Sequence, residues 1–295
     1  MVGILPTKKK SAKATEIIGK KESTVSVVKK FMSAKSDIIF KLLFGDELNK
    51  DILITFLMAV LQLPLEEFFE IKITDPHSKR KYKGDKLAIL DVKVTTATGK
   101  IINIEIQVKI APEMRERLVF YNARIMSAQL GESDDYTAVK KVISIIIAGE
   151  KLLPEHDVYH DKFTLYSTKT NTEFTDVIEI HTLELSKLPK KSDGTALYDW
   201  LEFINADSEE ELNMLAQKSP QMKAPVRKLL DLNQDENARA LYEAREKQRR
   251  DNMARENQAK KEGISEVARN LLEMNMSVSD IAKATGFTAK EIENL

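Results

Sequence analysis

The clearest pattern in the chain is an alternation of apolar and polar residues within residues 85–110. From residue 102 to residue 110 every even position is apolar and every odd position is polar. The run before it keeps the same parity, with apolar residues at positions 88, 90, 92 and 94 and polar residues at 91 and 93. A period of two residues is typical of a β-strand, so this stretch predicts two strands.

The connection between these two predicted strands contains a single glycine, Gly99. Glycine adopts a positive φ angle without steric cost, which favours a three-residue hairpin loop over residues 97–99. In that hairpin Asp91 faces Glu105. Directly opposed residues have Cβ atoms roughly 4.5–5.5 Å apart, and like charges at that distance destabilise a sheet. A bound divalent cation would explain the pair, because Mg²⁺ is held by one or two carboxylates together with water and phosphate oxygens.

The polar face of this predicted hairpin has a second interpretation. Gln107, Lys93 and Lys109 lie on the same face as the two carboxylates and can hold a water molecule or a phosphate oxygen. However, an antiparallel hairpin with one face in water shows the same alternation of polar and apolar residues. The pattern alone therefore leaves open whether this face is a metal site or solvent-exposed surface.

Further elements are predicted on both sides of the hairpin. Apolar spacing of three and four residues predicts helices at residues 37–44, 51–63 and about 111–130, and residues 195 to about 232 are predicted to be helical. Strands are predicted at residues 68–75, 142–148, 163–167 and 177–185. The 142–148 run is almost wholly apolar, as in a strand buried on both faces, and its position after a helix favours parallel pairing with an earlier strand. These elements predict an α/β fold with a mixed sheet flanked by helices.

The C-terminal part of the chain is predicted to be all-α. Residues 235–263 are almost entirely charged or small, which is typical of a solvent-bridging helix, a linker or a weak coiled coil. Amphipathic spacing returns after residue 264, with helix starts at Ser277 and Thr288 and a turn at Gly286. Because the second helix offers only Lys290 as a cation, this helix-turn-helix-like tail is as consistent with a docking or homodimerising bundle as with DNA reading.

Length and composition limit the classes of protein that the chain can belong to. Its 295 residues allow one large domain with an appendage or two domains. We predict a basic flexible arm at 1–30, a main domain at 31–232, a charged helical linker at 233–263 and the helical tail at 264–295. The formal net charge is zero, so any affinity for DNA must come from local basic patches.

The cysteine content and the hydropathy of the chain indicate the cellular compartment in which the protein is expected. The chain contains no cysteine, which excludes disulfides and thiolate chemistry and suits a reducing cytoplasm. No apolar run reaches the ~18 residues that cross a bilayer, and the apolar stretch before the first lysines is too short for a secretory signal. We therefore expect a cytoplasmic protein that does not enter a membrane. His156 and His160 are four residues apart, but their surroundings favour loop histidines over metal ligands, and His181 is isolated in the sequence.

Four motifs occur in order along the first half of the chain: SDIIFKLLFG at 36–45, LDVK at 90–93, INIEIQ at 102–107 and RLVFY at 117–121. An aspartate, a spacer of about a dozen residues, and Glu-x-Gln at the end of a hairpin followed by a helix resemble the PD-(D/E)XK nuclease superfamily. Within it the chain is similar to the recombination-promoting nuclease and transposase family of bacteria. This resemblance spans about residues 35–190.

The resemblance implies a restriction-endonuclease-like fold and a metal-dependent DNA endonuclease. Asp91 and Glu105 would ligate Mg²⁺ or Mn²⁺, which lowers the pKa of a bound water and stabilises the charge on the leaving oxygen. Gln107, with Lys93 or Lys109, would orient that water. The family name also suggests a role in recombination or with a mobile element, with DNA as the partner.

The sequence departs from the superfamily pattern at two positions. Leu90 stands before Asp91 where proline is usual, which affects only backbone stiffness. Gln107 stands where lysine is usual, and a neutral amide cannot donate positive charge to a developing phosphorane. Lys93 and Lys109 can replace that charge. If neither does, the chain is a catalytically inactive nuclease-fold protein that binds DNA or takes part in an assembly.

Candidate DNA contacts lie on two of the predicted helices. Lys41 belongs to the 37–44 helix, which lies beside the active site in the family, although an ion pair with Asp37 one turn earlier is an equally good role. Arg117, Tyr121 and Arg124 fall on one stripe of the 111–130 helix. Guanidinium groups and a phenol suit phosphate contacts or base stacking, and they also suit side chains that lie over a sheet with polar tips in water.

Overall fold

The structure is a computed structural model that describes residues 1, 30–74 and 92–295. Most of the predicted basic arm, and Asp91 with the first part of the predicted hairpin strand, lie outside the described residues. The strands of the described part are β1 Lys72–Thr74, β2 Val92–Thr95, β3 Ile101–Gln107, β4 Val142–Ala148, β5 His160–Tyr166 and β6 Glu173–Glu184. The helices are α1 Asp37–Phe44, α2 Lys50–Leu61, α3 Met114–Ser127, α4 Ala196–Asn205, α5 Glu209–Lys218, α6 Lys223–Gln234, α7 Glu236–Glu273, α8 Val278–Thr285 and α9 Ala289–Glu293.

Within the described residues, the strands form one six-stranded sheet in the order β1-β2-β3-β4-β6-β5. The β3–β4 and β4–β6 pairs are parallel, and the β1–β2, β2–β3 and β5–β6 pairs are antiparallel. Helix α3 connects the parallel strands β3 and β4. The predicted α/β fold with a mixed sheet flanked by helices is confirmed, and so is the parallel pairing of the 142–148 strand.

The β2–β3 hairpin has the predicted register. Val92 pairs with Ile104, the loop is closed by a hydrogen bond from the Thr96 N–H to the Lys100 carbonyl at 2.9 Å, and Gly99 has φ of 87°. The next pair in this register would join residue 91, which lies outside the described residues, to Glu105. The turn therefore determines which face of the sheet each β3 side chain occupies.

One face of the sheet, here called the core face, carries Ile102, Ile104 and Ile106. These residues belong to the main buried cluster together with apolar side chains of α1, α2 and α4. Phe44 of α1 lies 5.2 Å from the Phe56 ring of α2 and 5.8 Å from the Trp200 ring of α4, measured between ring centroids. Trp200 thus docks α4 on the core, and these helices cover the core face.

The opposite face of β3 carries Asn103, Glu105 and Gln107, and we call it the α3 face because Met114 and Leu118 of α3 pack against Ile146 and Ala148 of β4. Asn103 and Glu105 have 0% and 1% of their surface exposed. The interpretation of this polar face as solvent-exposed surface is therefore wrong for these two residues, because both are buried and Arg117 of α3 contacts Glu105.

Several element ends differ from the predictions. Helix α3 begins three residues after the predicted start, at Met114, and strand β1 is shortened because residues 65–68 form a 3₁₀ turn. Strand β5 begins at His160, so this histidine lies in a strand and not in a loop.

The C-terminal helices follow the predicted signals closely. Ser277 and Thr288 cap α8 and α9 through their side chains, and Gly286 ends α8 with φ of 75°. Ala268, Ile281 and Ile292 form a small buried cluster between α7, α8 and α9. Helix α7 is about 57 Å long at 1.5 Å per residue and continues through Gly263. No helix among the described residues is long and apolar enough to cross a membrane.

Candidate functional site

Glu105 is the centre of the polar α3 face. Its Oε1 accepts a hydrogen bond from Gln107 Nε2 at 2.9 Å and another from Arg117 Nη2 at 3.0 Å. Its Oε2 is buried and has no hydrogen-bond partner among the described residues. Strand alternation places Gln107 on the same face as Glu105, and the α3 crossover brings Arg117 above both.

The surroundings of Glu105 act on its pKa in opposite directions. Burial raises the pKa, while the Arg117 guanidinium and the Gln107 amide lower it, and the net result is a pKa above the ordinary value. A buried carboxylate strongly favours a positive group nearby, because the low dielectric of the interior strengthens the attraction. This position is therefore electrostatically suited to a cation.

Arg117 joins Glu105 to the rest of the predicted stripe on α3. Its side chain is 32% exposed, its Cζ lies 5.7 Å from the centre of the Tyr121 ring, and its Nε is buried without a partner among the described residues. Arg124 follows on the same stripe, two turns after Arg117, and is half-buried. The structure thus brings Tyr121 next to Arg117, and Arg117 in turn contacts Glu105.

The predicted lysines are placed unequally around the site. Lys93 lies opposite Asn103 on the α3 face and is half-buried, whereas Lys109 is exposed in a bend after β3 has ended. Neither lysine forms an ion pair within the part of the chain that the structure describes. Lys93 is consequently the better placed of the two to share the face with Glu105.

Lys41 is not brought to Glu105. It belongs to α1, whose buried side chains pack in the cluster of the core face, on the other side of the sheet. The alternative ion pair between Asp37 and Lys41 is wrong, because Asp37 Oδ2 instead accepts a hydrogen bond from Arg245 Nε of α7 at 2.7 Å. Among the described residues the Lys41 ammonium group has no ion-pair partner.

The sequence analysis missed a polar layer under α3. Asn103 and Ser144 are neighbours in the parallel β3–β4 register, and both have fully buried side-chain polar atoms without partners among the described residues. Asn122 lies one turn after Leu118 on the buried side of α3, and its Oδ1 is likewise unpartnered. Residues four apart on a helix are separated by about 6 Å along its axis, close to the ~6.6 Å between alternate residues of a strand. Met114, Leu118 and Asn122 therefore form one row on α3, which runs antiparallel to β4.

Two sequence signals could have revealed this layer. Ser144 interrupts an otherwise apolar strand, and Asn122 occupies the position at which the buried stripe of α3 would otherwise continue with an apolar residue. Buried polar side chains of this kind usually mark a functional site or bound water. The layer adjoins Glu105 and extends its polar environment into the interior.

A second polar cluster lies at the β6–β5 end of the sheet. His181 contacts Glu179 Oε1 at 2.7 Å through Nε2 and the His160 ring at 2.9 Å through Nδ1. Lys141 and Lys162 pair with the other oxygen of Glu179. The sequence position of His181 suggested an isolated histidine, and that prediction is wrong. Every polar group of this cluster that we describe has a partner, which is typical of a structural network.

Glu105 is the described residue of this site that can act as a ligand for a metal ion. No group of three or more His, Cys, Asp or Glu side chains suited to a metal is found among residues 30–74 and 92–295. Within the same described ranges, Glu105 alone offers a buried carboxylate oxygen without a partner, and the second predicted ligand, Asp91, lies outside them. The described residues thus supply one ligand that fits a hard cation.

Comparisons with known proteins address the family. The sequence profile of the PD-(D/E)XK nuclease family transposases matches residues 34–259, which is more than half of the chain and includes β3, α3 and the Glu105 site. Searches of curated proteins and of solved structures gave no match. The restriction-endonuclease-like architecture and the predicted resemblance are both confirmed. The chain therefore belongs to the PD-(D/E)XK nuclease family transposases.

Proposed function

We propose that this protein is a metal-dependent DNA endonuclease that hydrolyses phosphodiester bonds in recombination or in the movement of a mobile element. Its family supports a nuclease function. The observation that carries the proposal is Glu105 of the Glu-x-Gln motif, a buried carboxylate with one oxygen that no other described residue contacts by a hydrogen bond. A carboxylate with incomplete bonding in the interior is expected where a cation binds, since an ordinary core satisfies its buried polar groups.

The proposed cofactor is Mg²⁺ or Mn²⁺, with Asp91 and Glu105 as its protein ligands. Glu105 Oε2 suits this role because an ionised carboxylate only accepts, and hard cations take oxygen ligands. When bound, the ion would lower the pKa of a water molecule and stabilise charge on the leaving oxygen. The register of the hairpin supports the choice of Asp91, because Val92 pairs with Ile104 and the sequence positions next to them are 91 and 105.

Gln107 and the lysines have supporting roles in the proposal. The Gln107 amide nitrogen donates a hydrogen bond to Glu105 Oε1. The amide oxygen of Gln107 can therefore accept a hydrogen bond from the attacking water. Lys93 or Lys109 would orient the same water and supply the positive charge that the neutral amide lacks. The position of Lys93 on the α3 face favours it over Lys109.

DNA would be bound through local cationic and aromatic side chains, because the chain as a whole has no net charge. We assign phosphate or base contacts to Lys41, Lys109, Arg117, Tyr121 and Arg124. The C-terminal helices would provide a docking or homodimerisation surface after residue 264. A cytoplasmic location is part of the proposal, since a chain without cysteine suits a reducing compartment.

A second candidate function rests on Gln107. This residue replaces the usual lysine of the superfamily, and its side chain is bonded to Glu105. A protein that has lost the charge needed for chemistry would keep the nuclease fold as a DNA-binding or assembly module. The two candidates differ in whether the purified chain cuts DNA.

The experiment is nicking of supercoiled plasmid with Mg²⁺ or Mn²⁺ by the full chain and by Asp91→Ala and Glu105→Ala. We expect metal-dependent cleavage that falls at least about 100-fold in both variants, equivalent to about 2.7 kcal/mol of transition-state stabilisation. Glu155→Ala is the control, because Glu155 is exposed and pairs with Arg115 at the surface. Absence of cleavage by folded protein on duplex, nicked and single-stranded DNA would refute the enzyme and favour the second candidate.

A further inference from the structure

Arg117 is the only cationic residue that pairs with Glu105 among the described residues. The two partners differ strongly in exposure: the Glu105 side chain is 2% exposed and the Arg117 side chain is 32% exposed. The guanidinium thus covers the carboxylate from the outer side, where α3 borders solvent. A cation bound at the other oxygen, Oε2, which has no partner among the described residues, would therefore lie close to the Arg117 guanidinium on Oε1.

A guanidinium and a divalent cation compete for such a carboxylate. Each of them neutralises the carboxylate charge. A guanidinium and a metal ion within a few ångströms of each other repel, because screening by water is weak in a partly buried site. The contact of Arg117 with Oε1 therefore favours the metal-free protein. A divalent ion bound at Glu105 would neutralise the carboxylate and so weaken its attraction for the guanidinium.

The Tyr121 ring offers the Arg117 guanidinium an alternative contact. The Arg117 Cζ already lies 5.7 Å from the Tyr121 ring, a distance at which a cation is attracted to an aromatic face. The Arg117 side chain is 32% exposed, so an outward rotation would carry the guanidinium towards solvent. Arginine is also the side chain whose planar, permanently charged group best fits a phosphate.

We propose that Arg117 is an exchangeable counter-ion: it neutralises Glu105 before the metal binds, is displaced by the metal, and then contacts a DNA phosphate at the site. This inference rests on the proposed function, because it takes Glu105 to be a metal ligand. It also gives the site a positive charge that Gln107 cannot supply. Arg117 thereby links occupation of the metal site to capture of the substrate.

The test is a calorimetric titration of the full chain with Mn²⁺, in wild type, Arg117→Gln and Arg115→Gln. Arg115 is the matched control, because it lies on the same helix and pairs with Glu155 and the Leu152 carbonyl instead of Glu105. We expect Arg117→Gln to bind Mn²⁺ roughly tenfold more tightly and yet to cleave plasmid at least about 100-fold more slowly. Arg115→Gln should match the wild type in both measurements.

A second measurement covers the case in which Arg117→Gln does not fold. In the wild type, the Nε–H nuclear magnetic resonance of Arg117 should shift on addition of Mg²⁺ while that of Arg115 stays in place. Arg117→Lys, which keeps the charge, should bind Mn²⁺ within about threefold of the wild type, a difference below 1 kcal/mol.

The outcomes separate the inference from the proposed function. Mn²⁺ binding that depends on Glu105 but is unchanged or weaker in Arg117→Gln overturns the exchange alone, as does an Arg117 resonance that ignores Mg²⁺. Wild type that binds no Mn²⁺, or Glu105→Gln that binds it as well as wild type, overturns the metal role of Glu105 and the exchange together.

Discussion

The two faces of strand β3 are equally buried but differ in how completely their groups are satisfied. On the core face, Ile102 and Ile104 lie in a continuous apolar cluster, and their aliphatic side chains require no hydrogen bond. On the α3 face, Asn103 and Glu105 carry buried polar atoms that lack partners among the described residues. Neighbouring residues of one strand thus serve two purposes.

This difference separates stability from function within a single element. Burying apolar surface favours folding, whereas each unsatisfied buried polar group costs about 1–3 kcal/mol. A protein retains such a cost where the polar groups act on something other than the fold, so the unsatisfied face identifies the site. Burial alone would not distinguish Glu105 from Ile104.

The largest effect on stability is expected from the core face. Ile104→Ala should lower the free energy of unfolding by about 2–5 kcal/mol, because it removes apolar contacts and leaves a cavity in a fully buried cluster. Urea unfolding measures the change. Val108→Ala, just after the strand and 40% exposed, is the control and should change stability by less than about 1 kcal/mol. A loss of under 1 kcal/mol for Ile104→Ala would mean that the core face does not carry the fold.

A smaller effect is expected at the turn that assigns side chains to the two faces. Glu67 accepts hydrogen bonds from Thr96 and from Lys100, the latter at 2.6 Å, and also from Thr98. Burial would raise the pKa of Glu67, but these hydrogen bonds outweigh it and lower the pKa to about 2. The ionised Glu67 therefore fixes the hairpin loop to the preceding segment.

Glu67→Gln should cost about 1–3 kcal/mol at neutral pH. Since the folded pKa is below the unfolded one, the contribution of Glu67 is complete above about pH 4.5 and is lost as the pH falls towards 2. The stability difference between wild type and variant should shrink over that range in unfolding measurements at a series of pH values. A difference that stays constant down to pH 2 would contradict the role of the carboxylate charge.

The smallest effect is expected on the α3 face and has the opposite sign. Ser144→Ala removes a buried hydroxyl that has no partner in the described part of the chain, so we expect stability to stay the same or rise by up to about 1 kcal/mol. Ser33→Ala is the matched control, because the Ser33 hydroxyl donates to the Ala206 carbonyl at 2.6 Å and its loss should destabilise. Equal losses in both serine variants would remove the distinction between the faces.

The elements with local signals were predictable from sequence. Helix α1, strand β4 and the register of the hairpin follow from periodicity and from Gly99, because each depends on neighbouring residues. The cover of the α3 face was not predictable, since an alternating strand looks the same whether water or a helix lies on its polar side. Pairs distant in sequence, such as Asp37 with Arg245, likewise leave no local pattern.

The site itself was predictable only in part. The motif identified Glu105 and Gln107, and helical spacing identified Arg117 and Tyr121 as neighbours. The direct contact of Arg117 with Glu105 depends on the β3–α3 crossover, which periodicity does not specify. The layer of Asn103 and its neighbours was missed because single polar residues in apolar runs have many explanations.

The most direct test of the metal site is the melting temperature of wild type and Glu105→Gln with and without Mg²⁺. A ligand that binds only the folded state stabilises it by RT ln(1 + [L]/Kd), or about 2.7 kcal/mol at a hundredfold excess over Kd. We predict that Mg²⁺ raises the melting temperature of the wild type and leaves that of Glu105→Gln unchanged. An equal rise in both proteins, or no rise in the wild type, would contradict the assignment of the α3 face as a metal-dependent nuclease site.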